Sequence, residues 1–104
     1  MWKRIPGNSY RKAFDNSKAY HGTLMVLFVS PALCGEVGFT ASRKVGGSVE
    51  RNHARRLMKE AFRSVSPSLT PDVAYVLVAR KPAVTATLAR VVDELLRLTA
   101  QYRL

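Results

Sequence analysis

The chain has 104 residues, 47% of them hydrophobic, which suffices for one modest core and is too apolar for a disordered chain. Lys and Arg number 17 against 7 Asp and Glu, a net charge of +10, so the expected partner is a polyanion: nucleic acid first, an anionic membrane surface second. The single cysteine, Cys34, excludes an internal disulfide, and no run approaches the ~18 apolar residues of a membrane-spanning helix. The basic N-terminus lacks the apolar stretch of a signal peptide, so the sequence reads as a soluble, cytoplasmic protein with one domain over residues 1–104.

Residues 1–7 read as irregular, with Pro6 and Gly7 as breakers. Asn8 or Ser9 can cap a short helix over Tyr10 to Asn16, which puts Tyr10 and Phe14 on one face flanked by Arg11 and Lys12. Ser17 to His21 is a candidate short edge strand. Gly22 to Ser30 reads as a strand with Met25, Leu27 and Val29 on one side and Leu24, Val26 and Phe28 on the other. Both sides are apolar, so either both are buried or one lines a cleft. Cys34, beside Gly35, reads as a small apolar turn residue. Val37 to Ser42 reads as a second strand, antiparallel to the first because the connection is short.

Gly46 and Gly47 break the chain before a long helix from Val49 to about Val65, with Ser48 as the expected N-cap. Pro67 and Pro71 mark a loop. Asp72 to Arg80 alternates as a strand, with Val73, Tyr75, Leu77 and Ala79 on one face. A last helix is expected from about Thr85 to Tyr102, its apolar stripe made by Leu88, Val91, Val92, Leu95 and Tyr102.

The long helix carries the charge. At about 100° per residue from Arg51, the side chains Arg55, Lys59, Asn52, Arg63 and Arg56 fall between roughly 40° and 140°. Leu57, Ala61, Ala54, Val65 and Met58 fall between roughly 240° and 340°, with Phe62 on the border near ~20°. His53 and Glu60 occupy a third sector. The stripe of five cations contains no acid, whereas ordinary solvated faces mix signs. Like charges four residues apart oppose helix formation, so an external anion is the expected compensation. Arg, which grips phosphate in a bidentate manner, favours nucleic acid. The Asn52 amide can donate to phosphate, accept from a base or hydrated metal, or cap locally, and its spacing does not choose among these.

The segment from Phe39 to Arg63 closely resembles the protein subunit of bacterial ribonuclease P. Its motif residues here are Ser42, Arg43, Lys44, Gly46, Arg51, Asn52, Arg55, Arg56, Lys59, Glu60, Phe62 and Arg63. Ala79-Arg-Lys-Pro-Ala83 is similar to the end of that family's last strand. Tyr10 and Phe14 resemble two aromatics on its first helix, and Phe28 an aromatic on its central strand. The resemblance implies an α/β (α+β sandwich) fold, ribosomal protein S5 domain-2-like, in the order α-β-β-β-α-β-α with a left-handed βαβ crossover; the general handedness rule favours the opposite hand.

It also implies a division of labour. An RNA subunit holds the Mg²⁺ ions and hydrolyses the phosphodiester joining the 5′ leader to precursor tRNA. The protein, not itself catalytic, binds that RNA through Arg43, Lys44, Arg51, Asn52, His53, Arg55, Arg56, Lys59 and Arg63, and Mg²⁺ near Asn52 is an open option. Tyr10, Arg11, Lys12, Phe14, Val26 and Phe28 are implied to hold the leader; without the resemblance, Phe14 and Phe28 read as core. No membrane and no stable protein partner is implied. The acids lack two-metal spacing, since only Asp93 and Glu94 adjoin and these point apart on a helix. His21 and His53 have no evident triad or metal partners.

Two departures from the family pattern stand out. His53 replaces the usual basic residue after Arg-Asn, which implies RNA affinity mildly sensitive to pH. The first helix starts so early that any basic N-terminal arm is expected to be short. The rival readings are a ribosomal or other structured-RNA-binding protein without a processing role, and a membrane-surface protein. The latter requires an exposed apolar face beside the basic stripe.

Overall fold

The computed structural model describes residues 2–31 and 33–103. Its elements are β1 (Lys3–Arg4), α1 (Tyr10–Asp15), β2 (Lys18–His21), β3 (Met25–Ser30), β4 (Glu36–Thr40), α2 (Ser48–Val65), β5 (Ala74–Ala79) and α3 (Leu88–Arg103). Five strands form one mixed sheet in the order β1-β4-β5-β3-β2. The order expected from the resemblance is present, with one strand added at its start. Ser17–His21 does supply an edge strand, β2, antiparallel to β3.

Three expectations are corrected. Residues 1–7 are not wholly irregular: Lys3–Arg4 pairs in parallel with Glu36 and Val37. The second strand is not the hairpin partner of β3. The β5 strand lies between them, antiparallel to β3 and parallel to β4. The reason is burial. All of β5 except Val78 is buried, so it takes the centre, where both faces and both edges are covered. Lastly, Gly47, in extended conformation, is the N-cap of α2, whose first residue is Ser48, and no side chain caps it.

The pleat sorts the side chains. Met25, Leu27 and Val29 share a face with Tyr75, Leu77, Ala79 and Val37, all buried in the main core under α2 and α3. Val73 joins them, as its strand pattern predicts. From α2 come Ala54, Met58, Ala61, Phe62 and Val65; from α3 come Val91, Leu95 and Leu98. Phe62, on the border of the helical wheel, is buried, so the apolar face is wider than the strict stripe.

The α3 helix begins later than expected because Lys81–Thr85 forms a 3-10 turn, and the Thr87 hydroxyl accepts the Arg90 N–H at 3.3 Å. Leu88, assigned to the apolar stripe, is instead 41% exposed on the first turn. On the opposite face of the sheet, short α1 covers only part of the surface. Ile5, Ala13 and Val76 are buried there, with Tyr10, Phe14, Phe28, Leu33 and Val78 partly buried around them.

One polar contact ties the layers together. Glu94 is 2% exposed on α3, and its carboxylate accepts the backbone N–H groups of Thr23 (2.8 Å), Leu24 (2.8 Å) and Met25 (3.0 Å) at the start of β3. Gly22 is required beside it, because a Cβ there would lie 2.5–2.9 Å from the carboxylate atoms. Asp93 is exposed, so the two adjoining acids do point apart.

Candidate nucleic-acid interface

Burying Ala54, Met58, Ala61, Phe62 and Val65 against the sheet fixes the rotation of α2 and turns its basic sector outward. Asn52, Arg56, Lys59 and Arg63 are exposed; Arg51 and Arg55 are half-buried. Their partners differ. The Arg51 Nε donates to the Gly47 carbonyl at 3.4 Å, and Arg55 donates to the Asn52 side-chain oxygen. Arg63 is paired with Glu60 at 3.2 Å, so the lower end of the stripe is not free of acid as its sector suggested. Among the described residues, Arg56 and Lys59 have neither an ion pair nor a side-chain hydrogen bond. Arg43 and Lys44 are exposed in the turn before α2, and His53 is exposed on the helix.

The stripe is one wall of a groove of about 460 Å³. Asn52, Arg55, Arg56 and Lys59 line it from α2; Val37, Gly38 and Phe39 line its floor from β4. Trp2, Arg4 and Tyr10 complete it, and among the described residues no carboxylate lines it. Arg43, Lys44, Arg51, His53 and Arg63 lie outside this lining. Sequence reasoning missed Trp2, Arg4 and Phe39. In the sequence Phe39 stands only as the start of the motif, and the first residues only as a breaker-rich segment.

The aromatic residues on the other face are adjacent. Tyr10 and Phe14 have ring centroids 6.3 Å apart; Phe14 meets Phe28 edge-on at 4.9 Å. Val26 and Phe28 are half-buried on the same face of β3, next to Val78 and Val76. Phe14 and Phe28 thus support the small second core while keeping part of their surface open. Arg11 and Lys12 are exposed on α1, with Arg11 loosely paired to Asp15 at 3.9 Å. Tyr10 belongs to both surfaces. It packs over Gly38, where a Cβ would come within 2.8 Å of its ring, and it also lines the groove. The helix surface and the aromatic surface, separate in the sequence reading, therefore meet at Tyr10.

Cations without acids on one wall, aromatic rings on the other and an adjoining aromatic cleft are the groups with which a nucleic acid could be engaged, by phosphate contact and by base stacking. Among the described residues no helix is long and apolar enough to cross a membrane, and the apolar side of α2 is covered by the sheet. No three His, Cys, Asp or Glu side chains among them gather as metal ligands.

The family model for Ribonuclease P matches residues 6–103. The ribonuclease P protein component of Natranaerobius thermophilus is 32% identical over 91% of this chain and 84% of its own length. That of Desulfovibrio desulfuricans is 36% identical over 86% of this chain and 73% of its own length. The chain belongs to the ribonuclease P protein family. Other relatives match over less: 59 residues align at 44% identity with the Exiguobacterium sp. protein and cover 51% of its length. Two solved structures share the fold at low identity. The Staphylococcus aureus RNase P protein has a TM-score of 0.80 at 18% identity, covering 98% of this chain and 96% of that one. The Thermotoga maritima protein has a TM-score of 0.78 at 21% identity, covering 92% and 94%.

Proposed function

We propose that this protein is the RNA-binding subunit of a ribonuclease P, a tRNA-processing endonuclease whose chemistry resides in its RNA. The observation that carries the reading is the acid-free wall of Asn52, Arg55, Arg56 and Lys59. Arg56 and Lys59 meet phosphates of the RNA subunit, and each contact releases condensed counterions. Arg51 and Arg55, braced by Gly47 and Asn52, present guanidinium groups already held in position. Arg43 and Lys44, in the turn before the helix, extend the contact, and His53 and Arg63 flank it.

The 5′ leader of precursor tRNA follows the second surface. Phe14 and Phe28 offer ring faces, Val26 shares their apolar floor, and Tyr10 joins this cleft to the helix. Stacking on such faces tolerates any leader sequence, because every base has a π-face. Arg11 and Lys12 supply phosphate contacts. The protein contributes no hydrolytic group. Mg²⁺ would be held by the RNA, where it would supply Lewis-acid chemistry. The residues here do not fit a resident ion: the Asn52 oxygen is engaged by Arg55, and the groove lining offers no carboxylate.

A processing assay tests this. Purified protein added to a bacterial ribonuclease P RNA at low Mg²⁺ should accelerate leader removal, and protein alone should leave precursor tRNA intact. Cleavage by the protein alone, or no enhancement with the RNA, refutes the proposal.

A further inference from the structure

The first strand lies before the residues that the family model matches, yet it faces α2 across the groove. Backbone hydrogen bonds and ring contacts hold it in place. The Lys3 N–H donates to the Gly35 carbonyl at 2.9 Å and the Ile5 N–H to the Val37 carbonyl at 3.1 Å. Trp2 anchors its start, with ring centroids 5.3 Å from Phe62 and 5.5 Å from Tyr75. Arg4 is the register partner of Val37, whose side chain is buried under α2, so Arg4 projects to the α2 side. That puts an exposed guanidinium opposite Arg55, Arg56 and Lys59.

These like charges share one groove that no carboxylate of the described residues lines, and their repulsion stabilises nothing in the free protein. The groove also has an unused backbone. Beyond Val37, the outer edge of β4 has no strand partner among the described residues. By strand alternation the Phe39 N–H and C=O project to the same side as those of Val37, into the groove that Phe39 lines. The space is within the roughly 300–1,000 Å³ of ligand pockets.

We infer that Trp2 and Arg4 form the second wall of a slot that takes an unstacked nucleotide of single-stranded RNA, its phosphate between Arg4 and the cations of α2 and its base against the Trp2, Tyr10 and Phe39 rings. The Phe39 backbone meets the edge of that base. This rests on the RNA-binding function proposed above and adds a site to it. Double-stranded RNA is excluded because its bases remain stacked.

Trp2 is the only tryptophan in the chain, so its fluorescence reports on the slot. Full-length protein is titrated with hexauridylate, with a short RNA duplex, and with a bacterial ribonuclease P RNA. Hexauridylate should quench Trp2 emission and the duplex should not. Arg4→Ala should lower the log–log salt slope of hexauridylate binding by about 0.7, one phosphate contact on a single strand. Arg4→Lys, which keeps the charge, should retain the slope; loss in both variants would trace the effect to β1 pairing and overturn the slot. Unchanged Trp2 emission, or an unchanged slope in Arg4→Ala, overturns it too. If ribonuclease P RNA still binds in those cases, the proposed function stands without the slot; if no RNA binds, both fall.

Discussion

Replacing Glu94 by alanine should destabilise the fold far more than removing an ordinary surface acid. Its carboxylate accepts three backbone N–H groups at the β2–β3 turn. Thr23 is exposed, and water can replace the lost acceptor there. Leu24 and Met25 are buried, so their N–H groups are left without a partner. Two such orphans at about 1–3 kcal/mol each put the loss at ~2–6 kcal/mol. Release from the desolvation of a buried carboxylate moves the result toward the lower end. Against a typical domain stability of about 5–15 kcal/mol, that is a large fraction. Arg97 lies 3.8 Å from the carboxylate but is mostly exposed, and adds little.

Urea unfolding followed by circular dichroism measures the loss, with the slope checked to confirm that both transitions remain two-state. Gly22 supplies a second arm. Gly22→Ala brings a Cβ against the carboxylate, so it should destabilise the wild-type background and be milder beside Glu94→Ala. The coupling in that cycle should lie within about 0.5–3 kcal/mol. A loss below about 0.5 kcal/mol for Glu94→Ala, the range of a neutral surface change, would refute the reasoning. Strict additivity with Gly22→Ala would refute the close approach.

Other outcomes follow from the same geometry. Arg56→Ala should lower the salt slope for ribonuclease P RNA by about 0.7–0.9, and Arg63→Ala should lower it less, since Glu60 already holds that guanidinium; filter binding over a salt series decides, and equal slopes would mean that the Glu60 pair does not matter. Phe14→Ala should weaken precursor tRNA by about 5- to 150-fold, one base's stacking, while mature tRNA binds as before; an equal loss for both would argue against a leader cleft. Gly38→Ala should push the Tyr10 ring off β4 and weaken precursor tRNA binding at unchanged helix content, and a wild-type affinity would show that Tyr10 does not need its seat on Gly38.

Where local pattern and tertiary packing agree, the sequence was legible. The basic stripe of α2 could be read because its apolar positions fix the helix rotation: Ala54, Met58, Ala61 and Val65 are buried as expected, and Leu57 is half-buried at the margin of the core. The alternation of β5 likewise identified Tyr75, Leu77 and Ala79 as core. The pairing of β4 could not be read, because a short connection is compatible both with a hairpin and with a jump over one strand. Glu94 was legible as an acid on a helix but not as the acceptor for a turn some 70 positions away in the chain. Arg63 illustrates the limit of a helical wheel: sectors ignore the reach of long side chains, and Glu60 is within it.

Charge, length and the periodicity of α2 thus determined a small single-domain protein and the residues of its basic, polyanion-seeking helix face. Composition and 3.6-residue spacing are local properties, and the hydrophobic effect enforces them wherever a helix lies on a core. What stands opposite that helix was decided by the tertiary structure alone. Trp2 and Arg4 reach the groove because β1 pairs with the outer edge of β4, and Tyr10 joins two surfaces because Gly38 leaves room for its ring. Such placements depend on which strand edge stays open and which residue lacks a side chain, and no pattern within a single segment carries that information.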